Sequence, residues 1–158
     1  MRWLSLALWI IGCLAIGGLG GRWTGPEIPG WYRTIRKPSF NPPTWIFGPV
    51  WATLYILMAI AAWSVAESPE SPARTLGLGL FALQLALNLA WSWIFFRKHA
   101  IGSAALEVAI LWDAVAATTL VFSRISTASA WLMAPYWAWV TFASILNATI
   151  WRLNPTTR

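Results

Sequence analysis

The sequence predicts an all-α membrane protein, a single bundle of five transmembrane helices with a proline-rich first loop folded over one end as a lid. Composition is the first observation behind this. Of 158 residues, 58% are hydrophobic and only 10% charged, whereas a soluble domain carries roughly 25% charged residues. The second is spacing. The apolar residues fall into five runs, 3–23, 44–66, 73–96, 101–122 and 130–151, each near the roughly 20 residues that cross about 30 Å of hydrocarbon at about 1.5 Å per residue. The third is the stretch WYRTIRKPSFNPPTWIFGPVW at 31–51, whose prolines and aromatics suit neither a regular helix nor a strand. One domain, 1–158, accounts for the whole chain.

The first run begins after Arg2, as a secretory signal does, and IIGC ending at Cys13 has the look of a lipoprotein cleavage site. Apolar and small residues continue for two more turns and no polar domain follows, so the run is read as a retained helix. A lone cysteine in an apolar span forms no intramolecular disulfide and says nothing of redox compartment. Gly17 and Gly21 have the four-residue spacing that lets helix backbones approach closely in lipid. The lid, 25–43, runs through Gly25-Pro26, Pro29-Gly30, Lys37-Pro38 and Asn41-Pro42-Pro43. Each proline lacks an N–H and drives its predecessor to extended backbone, so the segment reads as stiff and non-helical. A headgroup-level aromatic belt accounts for Trp45 and Phe47. It does not account for Trp31, Tyr32 and Phe40 held in a proline framework, which lowers the entropy lost in fixing one loop shape.

In the second run Trp51 and Tyr55 stand at i and i+4. In the third, Gln84, Asn88, Trp91 and Phe95 share one face, while Ala82, Ala86 and Ala90 form a small-residue face about 200° away. That alanine face is a dimer seam or an internal packing seam. In the fifth, Trp139, Ala143 and Asn147 stack at i, i+4 and i+8, with Tyr136 a turn earlier. An amide in hydrocarbon needs a partner, so Gln84, Asn88 and Asn147 are expected to point into the bundle. Singly, each reads as hydrogen-bond glue between helices; together with the tryptophans they suggest a lined cavity for a flat ligand. The fourth run carries two acids, Glu107 and Asp113, about 120° apart around the helix and so not a paired acid–base site. Glu107 is expected to snorkel, and Asp113 to make a structural hydrogen bond.

Basic residues set an orientation. Arg2, Arg74 and Arg124 fall on one side, and Arg22, Arg33, Arg36, Lys37, Arg97, Lys98, Arg152 and Arg158 on the other. The positive-inside rule then places the lid and C-terminus in the cytoplasm and the N-terminus outside. The net charge of +6 follows from this asymmetry, and a nucleic-acid partner is not expected because the basic residues flank spans instead of forming a stripe. His99 is the one histidine and lies in a basic turn. No metal set, phosphate-binding glycine loop or serine–histidine–acid combination is present.

WYRTIRKPSFNPP, VWATLY, QLALNLAWSWIFF and PYWAWVTFASILNATIW resemble, in order and spacing, the tryptophan-rich sensory protein and translocator protein family (TspO/peripheral benzodiazepine receptor), over nearly the entire chain. The resemblance implies a five-helix membrane fold, commonly dimeric, with a pocket beneath the first loop. It implies binding of protoporphyrin IX, haem-related tetrapyrroles or drug-like hydrophobic molecules as ligands, with no required cofactor, and a link to tetrapyrrole metabolism and stress. Position by position, the pocket would fall on Tyr32, Pro42, Pro43, Trp51, Tyr55, Asn88, Trp91, Phe95, Trp139, Ala143 and Asn147, with a homodimer through Ala82, Ala86 and Ala90. A bacterial cell membrane is the expected location, the outer membrane remaining open. The family's sterol pattern needs a tyrosine where LNATIWR, 146–152, has none, which puts sterol binding in doubt.

Three functions follow in order of preference. The first is a porphyrin receptor or sensor, with rings stacked on Trp51, Trp91 and Trp139 and propionates drawn to Arg36 and Lys37. The second is a light- and oxygen-dependent porphyrin-degrading enzyme with Trp51 and Trp139 as its catalytic indoles. The third, a transporter, is disfavoured by the absence of inverted repeats and broken helices.

Overall fold

The structure, a computed structural model, describes residues 2–155; Arg158, counted above on the basic side, lies outside the described residues. Those residues form six helices and no strand: α1 (Arg2–Glu27), α2 (Trp31–Thr34), α3 (Phe47–Ala66), α4 (Pro72–Ser92), α5 (Ile101–Ser123) and α6 (Thr127–Leu153). A 3₁₀ turn, Thr44–Ile46, leads into α3, and a π-helical turn, Trp93–Arg97, prolongs α4. Four segments are long and apolar enough to cross a membrane: Arg2–Glu27, Thr44–Ala66, Pro72–Arg97 and Ile101–Ser123. At 27 residues α6 has the length. Its tryptophans, Tyr136 and Asn147 keep it below the hydropathy of those four segments.

The long helices pack as a ring in the order α1, α3, α6, α5, α4 and back to α1. Ala59, Ala61 and Ala62 of α3 are fully buried, so small side chains bring α3 close to its neighbours. The short connections are capped. Ser71 Oγ accepts from the Arg74 N–H at 3.1 Å with Pro72 at the first helical position, and Ser126 Oγ accepts from the Ser129 N–H at 3.2 Å.

Three expectations change. The first helix runs four residues past Trp23, through Gly25-Pro26, because a proline in the last turn removes only one backbone bond, that to the Arg22 carbonyl. The loop is not wholly non-helical: no proline falls between Gly30 and Lys37, and the chain winds one turn there, burying Tyr32. Neither acid of α5 takes its expected role. Glu107 lies on the inward stripe with Ala104, Leu111 and Val115 and is 9% exposed, with no hydrogen-bond partner for either carboxyl oxygen among the described residues. Asp113 stands two residues beyond Leu111, about 200° around the helix, and is exposed. Glu107 therefore does not snorkel, and among the described residues Asp113 makes no structural hydrogen bond.

On α4 the two faces separate as their spacing predicts: Gln84 and Asn88 are buried, while Ala82 and Ala86 are exposed and Ala90 is half-buried. The alanine face thus looks outward from the single chain.

Candidate functional site

A cavity of about 420 Å³ lies at the end of the ring where α1 connects to α3, between α1, α3, the end of α4 and α6. That volume is within the usual range for small-molecule pockets, about 300–1,000 Å³. No charged side chain is among the described residues that line it. Nine of the eleven residues expected at a pocket line this cavity: Tyr32, Trp51, Tyr55, Asn88, Trp91, Phe95, Trp139, Ala143 and Asn147. Pro42 and Pro43 do not.

The floor is a hydrogen-bonded chain across three helices. Tyr55 Oη donates to Asn88 Oδ1 at 2.9 Å, Asn88 Nδ2 donates to Tyr136 Oη at 2.9 Å, and Tyr136 Oη donates to Gln84 Oε1 at 2.8 Å. On one wall Trp91 Nε1 donates to Asn147 Oδ1 at 3.0 Å, and Asn147 Nδ2 donates to the Ile101 carbonyl at 3.0 Å. Each inward amide therefore ties α4 or α6 to a neighbour, with Gln84 Nε2 alone of their amide groups left without a partner among the described residues. The hydroxyls of Thr24 and Ser92 donate to the carbonyls of their own helices, Gly20 and Asn88. That leaves a predominantly apolar, aromatic lining.

The rings are set by these bonds. Trp91 stacks on Phe95 with centroids 5.2 Å apart and planes at 24°. Trp51 meets Trp139 edge to face at 6.4 Å and 84°, and Tyr136 at 6.2 Å and 63°, arrangements favoured by the aromatic quadrupole. Trp139 also meets Phe47 at 6.0 Å. The cavity thus offers flat surfaces in several orientations around an uncharged space.

Ile28 and Tyr32, in the connection between α1 and α3, are both on the cavity lining. Tyr32 Oη donates to Asn41 Oδ1 at 2.7 Å, and Asn41 Nδ2 donates to the Pro42 carbonyl at 3.0 Å. Pro42 shapes the loop without touching the cavity. Burial pushes the Tyr32 phenol up to about 12, with the Asn41 hydrogen bond acting in the opposite sense, so the phenol remains a neutral donor near neutral pH. Lys37 is not free at the rim. Its Nζ donates to the carbonyls of Tyr32 at 2.6 Å and Ile35 at 2.9 Å and sits 4.8 Å over the Tyr32 ring, and burial lowers its pKa. Arg33 and Arg36 are exposed.

Several contributors were not anticipated. Asn154, just past α6, accepts from the Arg36 N–H at 3.0 Å and donates to the Arg36 carbonyl at 2.9 Å, pinning the loop from the other end of the chain. Gly18, Gly21 and Gly25 of α1 line the cavity with nothing within 4 Å of where a Cβ would stand. Their recurrence along the first run was the available signal. Phe142, Leu146 and Ile150 continue the lining face of α6, at i+3, i+7 and i+11 from Trp139, and following the helical period toward the C-terminus finds them.

The TspO/MBR family model matches residues 9–152. Among similar proteins, "Tryptophan-rich protein TspO" of Chlorobaculum tepidum is 42% identical over 96% of this chain and 97% of its own length. "Protein CrtK" of Rhodobacter capsulatus is 39% identical over 94% and 92%, and the human "Translocator protein" is 38% identical over 91% and 84%. These matches, with four apolar helices long enough to span a bilayer, make this a multi-pass membrane protein. With the family model and full-length relatives agreeing, the chain belongs to the TspO/MBR family.

Proposed function

We propose that this protein is a membrane receptor or sensor that binds a porphyrin, protoporphyrin IX or a haem-related tetrapyrrole, in the cavity beneath the first loop. The observation that carries this reading is the uncharged, aromatic-walled space with Trp51, Trp91 and Trp139 presented to it. A tetrapyrrole matches it chemically: a flat apolar macrocycle stacks on indoles, and its propionates stay outside with the exposed guanidinium groups of Arg33 and Arg36. The family's link to tetrapyrroles supports the same ligand class. In this reading α6 is the fifth membrane span, its indoles and amide turned to the cavity instead of lipid, and residues 28–43 are the lid. The basic-residue asymmetry supports a lid and C-terminus in the cytoplasm and an N-terminus outside. Exposed Ala82 and Ala86 support a homodimer across α4. Titrating the purified protein with protoporphyrin IX, in darkness and then in light, tests the reading. Saturable tryptophan quenching without bleaching supports the sensor, and absence of quenching removes it.

A second reading, light-dependent porphyrin degradation, is favoured by one contact, the edge-to-face pair of Trp51 and Trp139 on the cavity wall. An oxidisable indole beside a photo-excited ligand is positioned to donate an electron.

Two consequences follow for binding. Ala143 is on the cavity wall beside Asn147 and one turn from Trp139, so Ala143→Thr adds a methyl-sized volume and a hydroxyl where the macrocycle packs. Overpacking of this kind is worth about 1–3 kcal/mol, and porphyrin affinity is expected to fall by roughly tenfold with the fold intact. Unchanged affinity in a fluorescence titration would remove Ala143 from the site. Replacing Pro42 and Pro43 by glycine loosens the turn at which Asn41 holds Tyr32 and raises the entropy of the open loop. Porphyrin is expected to leave several-fold faster while associating at the parental rate. Equal dissociation rates in stopped flow would make the loop a headgroup anchor only.

A further inference from the structure

We propose that His99, Glu27 and Trp31 form a proton-sensitive latch that holds the loop closed over the cavity. His99 stands in the turn between α4 and α5 at φ 55, a left-handed conformation uncommon outside glycine. From there its imidazole touches two other elements. Nε2 lies 2.9 Å from Glu27 Oε2 at the end of α1, and the ring stacks on Trp31, the first residue of α2, with centroids 4.2 Å apart and planes at 13°. Trp31 is held on another side by Phe95, edge to face at 5.6 Å, and Phe95 lines the cavity. Residues 28–30, where the chain leaves α1 and enters the loop, thus lie between two residues gripped by one imidazole.

A histidine is the side chain whose charge changes between about pH 5 and 8. As imidazolium it forms a charge-assisted bond to Glu27, roughly twice as strong as a neutral one, and its stacking on Trp31 gains a cation–π component. With the loop closed, an imidazolium meets both the Glu27 carboxylate and the Trp31 indole, so protonation strengthens the closed arrangement and closure is favoured as pH falls. The groups that face His99 fit this sign. Glu27 is the charged residue from α1, and the residue from α2 is the uncharged Trp31. Arg97 and Lys98 of the same turn oppose the imidazolium, but Lys98 Nζ is drawn off 4.7 Å over the Trp93 ring. Tyr32, at about 12, keeps its proton throughout, and arginine is always charged.

The test is rapid hydrogen exchange on the purified full chain, corrected for intrinsic rates, at about pH 5.5 and pH 7.5. It reads the loop amides of Arg33, Arg36 and Asn41, whose N–H groups are bonded to Gly30, Asn154 and Pro38. Protection is expected to be roughly three- to tenfold higher at the lower pH, the worth of one strengthened hydrogen bond. The difference should vanish in His99→Gln and in Glu27→Gln, and His99→Arg should hold protection high at both pH values. Parental protection that is the same at both pH values overturns the latch without any variant, as does a difference that survives in His99→Gln. Slower porphyrin release at low pH is the second readout and rests on the proposed ligand. The exchange readout does not, so a chain that fails to bind porphyrin but shows pH-dependent protection loses the ligand reading and keeps the latch.

Discussion

Replacing Gly17 by leucine is expected to destabilise the bundle by about 3 kcal/mol or more, the upper end of what overpacking a helix interface does, and to abolish ligand binding with it. A Cβ at Gly17 would stand 2.5 Å from Cε2 and 2.7 Å from Cδ2 of Tyr55, so α1 must move off α3 or the ring must turn away. The ring is not free to turn. Tyr55 is 5% exposed, its hydroxyl is bonded to Asn88 Oδ1, and its face is tilted against Trp51 at 5.8 Å. Forcing it aside leaves Asn88 Oδ1 without its donor in the bundle interior, and an unsatisfied buried polar group adds about 1–3 kcal/mol. Two other glycines calibrate the result. At Gly102 the obstacle, Trp151 Nε1 at 2.8 Å, belongs to a side chain 40% exposed that can swing outward, so Gly102→Ala should be nearly neutral. At Gly79 nothing lies within 4 Å, and Gly79→Leu should melt with the parent in detergent. A Gly17→Leu variant as stable as Gly79→Leu would mean that α1 does not rest on Tyr55.

That contact also marks where the sequence is legible and where it is not. The spacing of Gly17 and Gly21 announced a close helix approach, but only the fold says that Gly17 meets a ring while Gly21 faces open space. Periodicity placed the inward amides well, because a buried amide has to find a partner and Gln84, Asn88 and Asn147 each fall on a stripe of 3.6-residue period. On α5 depth along the helix alone, Glu107 nearer the end and Asp113 nearer the middle, led to the expected snorkelling of Glu107 and hydrogen bond of Asp113, and depth does not say which side of a helix faces inward. Leu111 and Val115 define the inward face there, and alanines around them blur the pattern. In the loop, proline chemistry identified a stiff segment but not the turn of helix at Trp31–Thr34, which depends on Tyr32 finding Asn41, Phe95 and Phe96. Contacts between residues far apart in the chain were invisible for the same reason. Nothing near Asn154 or Glu27 in sequence hints that one clamps Arg36 and the other meets His99.

Exchanging both Trp51 and Trp139 for phenylalanine is expected to leave porphyrin binding within roughly tenfold of the parent. At the same time, light-driven loss of the bound porphyrin should slow by an order of magnitude or more. The two effects separate because an indole does two things beside a macrocycle. As a flat surface it stacks, and aromatic pairs differ by only about 0.5–1.5 kcal/mol, so a benzyl ring keeps most of the affinity. As an electron donor to an excited ligand it has no counterpart in phenylalanine. The geometry makes the pair the right target. Trp51 and Trp139 touch edge to face at 6.4 Å, both line the cavity, and Trp139 leans on Phe142 at 5.5 Å and 44°, so either indole can serve when the other is replaced. Single variants should therefore show part of the loss and the double variant nearly all of it. The measurement is Soret absorbance of the loaded protein under fixed illumination, with occupancy checked in darkness and free porphyrin in the same detergent as reference. Loss at the parental rate in the double variant, or equally fast loss of free porphyrin, would remove the enzyme reading. A receptor would then remain, its tryptophans serving as walls.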